Sequence, residues 1–411
     1  MSEPRWRFVD ALTALDRRIG VVGRHSGPPA MRRALSVLGN PHLKYRVVHV
    51  AGTSGKTTTS SIIAAELRAA GACVGMTISP HVHSVCERIQ IDGHLISEDG
   101  FGQAINRLRI GIGDDLGGLS YFEAITAAAF LDFARADVDV AVVETGIGGR
   151  DDATNVFDRG GGIKVITDIG FDHTEILGFD LADIAGHKAG IVHGGDAVVI
   201  AADHPDVVFD AVEGRARAVG AAVHRVHIRP QTAPLLRNAD LALAAVDVVH
   251  GHIPAARREI EPERLRAAVP PGRFELIGWG RAEILLDGAH NPQELRALGW
   301  SVERQGMASV VLAMTAAPEH KLASSAAEVA RFARRIILPS LEIRGTSVKR
   351  FADPAVLERL LVEAGHPQVV RVDDLRSALD VATSDASFPH AIVTGSIYTV
   401  AAVHALRLPP V

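Results

Sequence analysis

Only two cysteines, Cys73 and Cys86, occur in 411 residues, and no C-x-x-C is present. This excludes a disulfide framework and makes a reduced, cytoplasmic setting the simple expectation. A surplus of positive charge is also missing: 43 Lys and Arg against 48 Asp and Glu leave a net charge of −5, which argues against a nucleic-acid partner. No run approaches the roughly 18 uninterrupted apolar residues of a membrane helix. The N-terminal MSEPRWRFVDALTAL has no signal-type apolar core, so neither a membrane partner nor export is expected. No low-complexity tract or internal repeat is evident. What remains is ordinary for a globular protein, 47% hydrophobic and 22% charged. The length exceeds one typical core, so two domains are expected.

The most informative stretch is VVHVAGTSGKTTTSSIIAAELRAAG, Val47 to Gly71. The apolar run Val47–Ala51 reads as a buried strand. A glycine turn follows (Gly52, Thr53, Ser54, Gly55), then Lys56, then a hydroxyl run opening a long apolar-periodic helix. A helix N-terminus carries partial positive charge and unpaired N–H groups, which suits phosphate. The glycines allow close backbone approach, Lys56 has the reach for terminal phosphates, and the Thr57 hydroxyl suits Mg²⁺. The strict Walker spacing would need a glycine where Val50 stands. Strand, Lys-Thr and helix are nevertheless all in place, and a nucleoside triphosphate is the expected ligand.

Strand-like and helix-like segments alternate through most of the chain. Helices are expected near Ser97–Ile110, Tyr121–Ala136, Leu181–Val192 and His204–Gly220, with buried strands near Val138–Val143, Ile163–Ile169 and Ala197–Ala201. That alternation predicts an α/β protein with a parallel sheet covered by helices on both faces. Pro270, Pro271 and Gly272 break the pattern, and alternation resumes after them. The expected organisation is a P-loop parallel-sheet ATPase domain over 1–268, a linker over 269–272, and a smaller Rossmann-like α/β domain over 273–411.

Several clusters fall at predicted strand ends, where ligands of open α/β sheets gather. Glu144 closes the run DVDVAVVE, and a carboxylate there suits Mg²⁺, which prefers oxygen donors shared with phosphates. Asp172, His173, Thr174 and Glu175 follow the strand ending near Ile169. Asp287, His290 and Asn291 follow another, and Thr394 and Ser396 a third. Ser79, His81, His83 and Arg88 lie in TISPHVHSVCERI; the His-x-His pair lacks a third ligand at zinc spacing. Lys188 sits among Ala185, Gly186, Ala189 and Gly190. From its window alone it reads as a surface lysine; if buried, it must be paired, neutral or modified.

Taken in order, ten segments resemble the folylpolyglutamate synthase/dihydrofolate synthase family of the Mur ligase superfamily. They are the phosphate loop, SPHVHSVCERIQIDG, YFEAITAAAF, VVETGIGGRDDATNV, DIGFDHTEILG, HKAGIV, LLRNADLALAA, PGRFELI, LLDGAHNP and VTGSIY, spanning Pro41 to Tyr398. The resemblance implies an ATP-dependent acid–amino-acid ligase that activates a carboxylate as an acyl phosphate, which an amine then attacks. It implies that Gly52 through Thr57 hold the triphosphate and that Thr57 and Glu144 bind one Mg²⁺. Ser79, Glu144 and His173 would bind a second. Lys188 matches a lysine that is carbamylated in the superfamily. Asn238, Arg273 and Asp287 match nucleotide-contacting positions, and His290 and Ser396 match the amino-acid side. Lys56, Lys188, His173 and His290 are the implied catalytic set.

The implied reaction adds L-glutamate to dihydropteroate, a tetrahydrofolate, or both, in a cytoplasmic monomer. Departures from the family pattern are GTSGKTTT for the usual GTNGKGS, ETGIGGR for EVGLGGR, and AMTAAPEHK (Ala313 to Lys321) where an Ala-Asp-Lys-Asp motif is usual. They leave open a ligase of the same fold acting on a non-folate carboxylate or a different amine. A phosphate-loop switch without ligation would have no use for Lys188 or the Asp287–His290 cluster.

Overall fold

The computed structural model describes residues 6–20, 26–228, 233–252, 260–303, 308–342, 350–384 and 390–407. Two compact units separate, Met1–Thr232 with Leu236–Ala268, and Ala233–Leu235 with Val269–Val411.

The first unit is built on eight strands: β1 (Arg46–Ala51), β2 (Val74–Thr77), β3 (Gln90–Ile91), β4 (His94–Leu95), β5 (Val140–Glu144), β6 (Ile163–Ile166), β7 (Ala197–Ala201) and β8 (Ala222–Val226). Their order is β4-β3-β2-β5-β1-β6-β7-β8. Valine and isoleucine fill the central strands, and β1, β5 and β6 are buried along almost their whole length, as a sheet covered on both faces requires. The register sets Val50 of β1 beside Glu144 of β5, and Ala51 beside Ile166 of β6. One face packs under Phe101, Leu108, Phe130 and Phe133, the other under Ile184, Val208 and Val212. Phe130 and Phe133 are fully buried; truncation of either to alanine would cost about 3–5 kcal/mol.

The second unit holds β9 (Glu275–Trp279), β10 (Ala282–Leu286), β11 (Ala308–Leu312), β12 (Ala333–Pro339), β13 (Val369–Val372) and β14 (His390–Thr394), ordered β13-β12-β11-β14-β10-β9.

Both sheets are parallel except at one edge. β3 and β4 run antiparallel beyond β2, and β9 runs antiparallel to β10. Turn chemistry explains the departure from an all-parallel expectation. Asp92 and Gly93 both have positive φ (50° and 78°), as a two-residue type I′ hairpin requires, and Gly280 (φ 58°) opens the two-residue turn between β9 and β10. Helix Leu181–Ala189 stops three residues before the expected Val192. The next residue, Gly190, lies so close to the Arg150 backbone that a Cβ would sit 2.6 Å from its Cα.

Candidate active site

The loop after β1 is fastened from behind. The Thr53 and Ser54 N–H groups donate to the Asp168 carbonyl at 2.7 and 3.3 Å. The Thr53 hydroxyl donates to the Gly170 carbonyl at 2.9 Å, and Thr167 Oγ1 donates to the Ser54 carbonyl at 2.7 Å. Both glycines are required by contact. A Cβ on Gly52 would lie 1.8 Å from Thr167 Oγ1. Gly55 has φ +81°, and a Cβ there would meet Asn238 Oδ1 at 2.4 Å. Asn238, on helix Pro234–Val249, therefore lies directly against the loop. Helix Lys56–Ala69 starts immediately after Gly55 and presents the N–H groups of its first turn at the mouth of the loop.

Two lysines share one carbonyl. Lys56 Nζ donates to Gly52 O at 3.1 Å and to Thr53 O at 3.0 Å, while Lys188 Nζ donates to Gly52 O at 2.7 Å. Lys188 is 3% exposed, which overturns the surface-lysine reading of its window. Burial pulls its pKa down to about 7, and the neighbouring Lys56 charge pulls the same way, against the opposing pull of Asp172 and Asp152.

Glu144 ends β5 at 2% exposure. Its Oε1 accepts from the Thr57 hydroxyl at 3.0 Å, and its Oε2 accepts from the Ser79 N–H at 3.2 Å. The loop helix, the tip of β5 and the chain beyond β2 thus meet at one carboxylate. The Thr57 hydroxyl and the Glu144 carboxylate are hard oxygen donors beside a phosphate-type loop, a pair that fits Mg²⁺. Among the described residues no group of three or more His, Cys, Asp or Glu is placed to hold a metal. His173 has a left-handed φ of 48° at the start of the short Thr174–Leu177 helix. Its N–H donates to Asp172 Oδ1 at 2.8 Å, and Asp172 is also the acid acting on Lys188. His81 Nδ1 accepts from Arg88 Nε at 2.9 Å, so the His-x-His segment is occupied with its own arginine.

Residues not singled out from the sequence complete this end of the sheet. Asp152 is buried, and burial raises its pKa. Its Oδ2 accepts N–H groups of Gly146 and Ile147 at 2.9 Å each, fixing the loop that follows Glu144. Arg237 bridges Asp168 and Asp203 at 2.6 and 2.5 Å. A charged residue beside Asn238 was the only sequence signal for it.

In the second unit, Asp287 Oδ2 accepts from Phe274 N and Oδ1 from Ala289 N, both at 2.9 Å. Burial raises the pKa of this acid, and the Arg273 charge partly offsets the effect. A Cβ on Gly288 would lie 3.1 Å from Arg273 Nη1. His290 Nδ1 is 3.0 Å from Glu294 Oε2. Ser396 is buried, and its Oγ accepts from Tyr398 N at 3.2 Å where helix Ile397–Arg407 begins. The ends of the paired strands β10 and β14 are joined, since Gly395 N donates to Ala289 O at 2.9 Å. Asp287, His290 and Ser396 therefore follow the adjacent ends of β10 and β14, with Arg273 acting on Asp287. Among the described residues no helix is long and apolar enough to cross a membrane.

A phosphate-type loop, a buried lysine turned back onto it and an acid at the neighbouring strand tip define an ATP-dependent ligase of the Mur type. The Mur ligase middle domain matches residues 50–233. The dihydrofolate synthase/folylpolyglutamate synthase of Mycobacterium tuberculosis is 30% identical over 437 aligned residues, which cover 90% of this chain and 88% of that protein. The chain belongs to the dihydrofolate synthase/folylpolyglutamate synthase family. Among solved structures, the folylpolyglutamate synthase of M. tuberculosis complexed with ADP and AMPPCP superposes with a TM-score of 0.81 at 28% identity, covering 98% of this chain and 100% of that one. A Yersinia pestis bifunctional folylpolyglutamate synthase/dihydrofolate synthase with Mn, AMPPNP and L-glutamate bound gives a TM-score of 0.80 at 28% identity, covering 98% of each chain.

Proposed function

We propose that this chain joins L-glutamate to the carboxylate of a pterin-bearing acid, dihydropteroate or a tetrahydrofolate, forming an amide with cleavage of ATP. The observation that carries the reading is the meeting of Lys56 and Lys188 on the Gly52 carbonyl, with Thr57 bonded to Glu144 beside them. When bound, ATP with Mg²⁺ supplies the phosphoryl group that activates the acid as an acyl phosphate and the charge that offsets the transferring oxygens.

The residues' own tasks follow from their chemistry. Gly52, Thr53, Ser54, Gly55, Lys56 and Thr57 cradle the triphosphate with N–H groups, and Lys56 supplies the positive charge at its end. Thr57 and Glu144 hold one divalent ion; Ser79, Glu144 and His173 hold a second. Asn238 fixes the loop, and Arg273 and Asp287 contact the nucleotide. His290 and Ser396 bind and orient the incoming amino acid.

Lys188 is the carbamylation site in this reading. With its pKa at about 7, a large share of the side chain is neutral amine near neutral pH. The amine nitrogen forms a bond to the carbon of CO₂, and a proton leaves to solvent, giving a carbamate. The change replaces a cation that repels Lys56 by an anion that attracts it, and adds a hard oxygen donor. The two free cysteines, Cys73 and the buried Cys86, support a reducing, cytoplasmic setting, and we take the working unit to be a monomer.

A panel of dihydropteroate, tetrahydrofolate and unrelated carboxylates, each offered with several amino acids and read by ADP release, tests the reading. ADP release that requires a pterin acid and glutamate is the expected result; turnover confined to other acids or amines overturns it. The second reading, an amide ligase for a non-folate acid, is favoured by AMTAAPEHK beyond β11. There Ala316 N bonds the Arg350 carbonyl at 2.7 Å, and no acidic residue follows the strand before Glu319.

A further inference from the structure

Arg237 stands where three segments of the first unit meet. Its Nε donates to Asp168 Oδ1 at 2.6 Å and its Nη1 to Asp203 Oδ2 at 2.5 Å. Asp168 lies beyond β6, Asp203 beyond β7, and Arg237 itself on helix Pro234–Val249. The guanidinium is largely enclosed, its side chain 13% exposed. Two features make this more than a structural ion pair. Asp168 is the residue whose carbonyl receives the Thr53 and Ser54 N–H groups, so it is the direct support of the phosphate loop. The residue after Arg237 is Asn238, whose amide oxygen would lie 2.4 Å from a Cβ on Gly55. One side chain thus fixes both the back of the loop and the helix that presses on its Gly55 side.

Charge matters as much as position. The Asp168 carboxylate sits behind a loop that must accept a polyanion. An uncompensated negative charge there would repel the triphosphate through a partly desolvated environment, where Coulomb interactions are several times stronger than in bulk water. A planar guanidinium serves two carboxylates at once in a way that an ammonium does not. We infer that Arg237 is a positioning residue for the nucleotide: it neutralises Asp168 behind the phosphate loop and seats Asn238 against Gly55. This rests on the reading that the loop binds ATP.

The test is steady-state ADP release with ATP varied, in the full chain. Arg237→Ala is expected to raise the KM for ATP about tenfold with kcat changed less than about threefold, because binding and not chemistry loses its support. Arg237→Gln, an uncharged donor, is read in its place if the alanine variant does not fold. Adding Asp168→Asn to either variant removes the exposed charge and is expected to recover most of the lost ATP affinity. A purely structural bridge would gain nothing from it. Arg237→Lys keeps the charge and is expected to fall between wild type and the neutral variants. A KM for ATP within about twofold of wild type in a folded neutral variant, or no recovery in the double variant, overturns the inference. Absence of ATP-dependent turnover in the wild-type chain would instead defeat the reading of the loop.

Discussion

Replacing Lys188 by methionine removes an ammonium group from a site where it is held near Lys56. The folded-state pKa is about 7 against an ordinary 10.5, a difference of 3.5 units. At roughly 1.4 kcal/mol per unit, the charged form is disfavoured by ~5 kcal/mol in the folded chain. Between pH 7 and 10.5 the unfolded chain binds more protons at this position than the folded one, so wild-type stability rises with pH across that window. Below pH 7 both states carry the proton, and the penalty stays constant. Lys188→Met has no such titration. Urea unfolding in CO₂-free buffer, measured from about pH 6 to about pH 9, is expected to show wild type gaining ~2–3 kcal/mol relative to the methionine variant above neutrality. Parallel stability curves for the two proteins would refute the buried-amine description. Restoring ¹³C-labelled CO₂ adds a second readout: a new carbonyl resonance in wild type that is missing in Lys188→Met. Turnover lost in Lys188→Ala is expected to return in part with added short carboxylates, and full activity without them would remove the carbamate.

Lys56→Ala and Glu144→Ala are each expected to abolish ATP-dependent ligation while circular dichroism shows the fold retained; near-normal ADP release in either would contradict the assigned site. Gly55→Ala places a methyl group 2.4 Å from Asn238 Oδ1 on a residue with φ +81°, and calorimetry is expected to show at least a tenfold loss of nucleotide affinity, about 1.4 kcal/mol. Asp287→Ala leaves the Phe274 and Ala289 N–H groups without their carboxylate acceptor. Thermal unfolding should register about 1–3 kcal/mol of destabilisation for each group left unpaired in the interior.

The parts of the fold that were legible in sequence are those whose signal is local. β1, expected at Val47–Ala51, is observed at Arg46–Ala51, and the strand at Ala197–Ala201 agrees residue for residue, because an unbroken apolar run bounded by turn residues has few alternatives. β8 was missed because it is an edge strand with a half-exposed, polar pattern, AVHRV. The β3–β4 hairpin was missed because two-residue strands carry too little periodicity, although Asp92-Gly93 announced the turn. The helices Phe8–Asp16 and Pro28–Val37 were passed over, as was the longer Pro234–Val249. At the site, Lys56, Thr57 and Glu144 were readable because glycine turns and strand ends mark them. The environment of Lys188 was not, since its burial is decided by a carbonyl 136 positions away in sequence. The same holds for Arg237, whose partners Asp168 and Asp203 are 69 and 34 positions away and become neighbours only once β6 and β7 pair.

Ser79, Glu144, the phosphate loop and Asp172 hang from the ends of β2, β5, β1 and β6, four strands lying side by side. Their mutual spacing is therefore dictated by a backbone ladder whose neighbouring strands lie about 4.8 Å apart. Nothing in that ladder depends on which acid is being activated. Descendants of such a chain can exchange one acid for another by editing loops outside the ladder while the activating apparatus is inherited whole. A slip of one rung between β2 and β6 would displace a carboxylate or a hydroxyl by about 3.3 Å and silence every substrate alike.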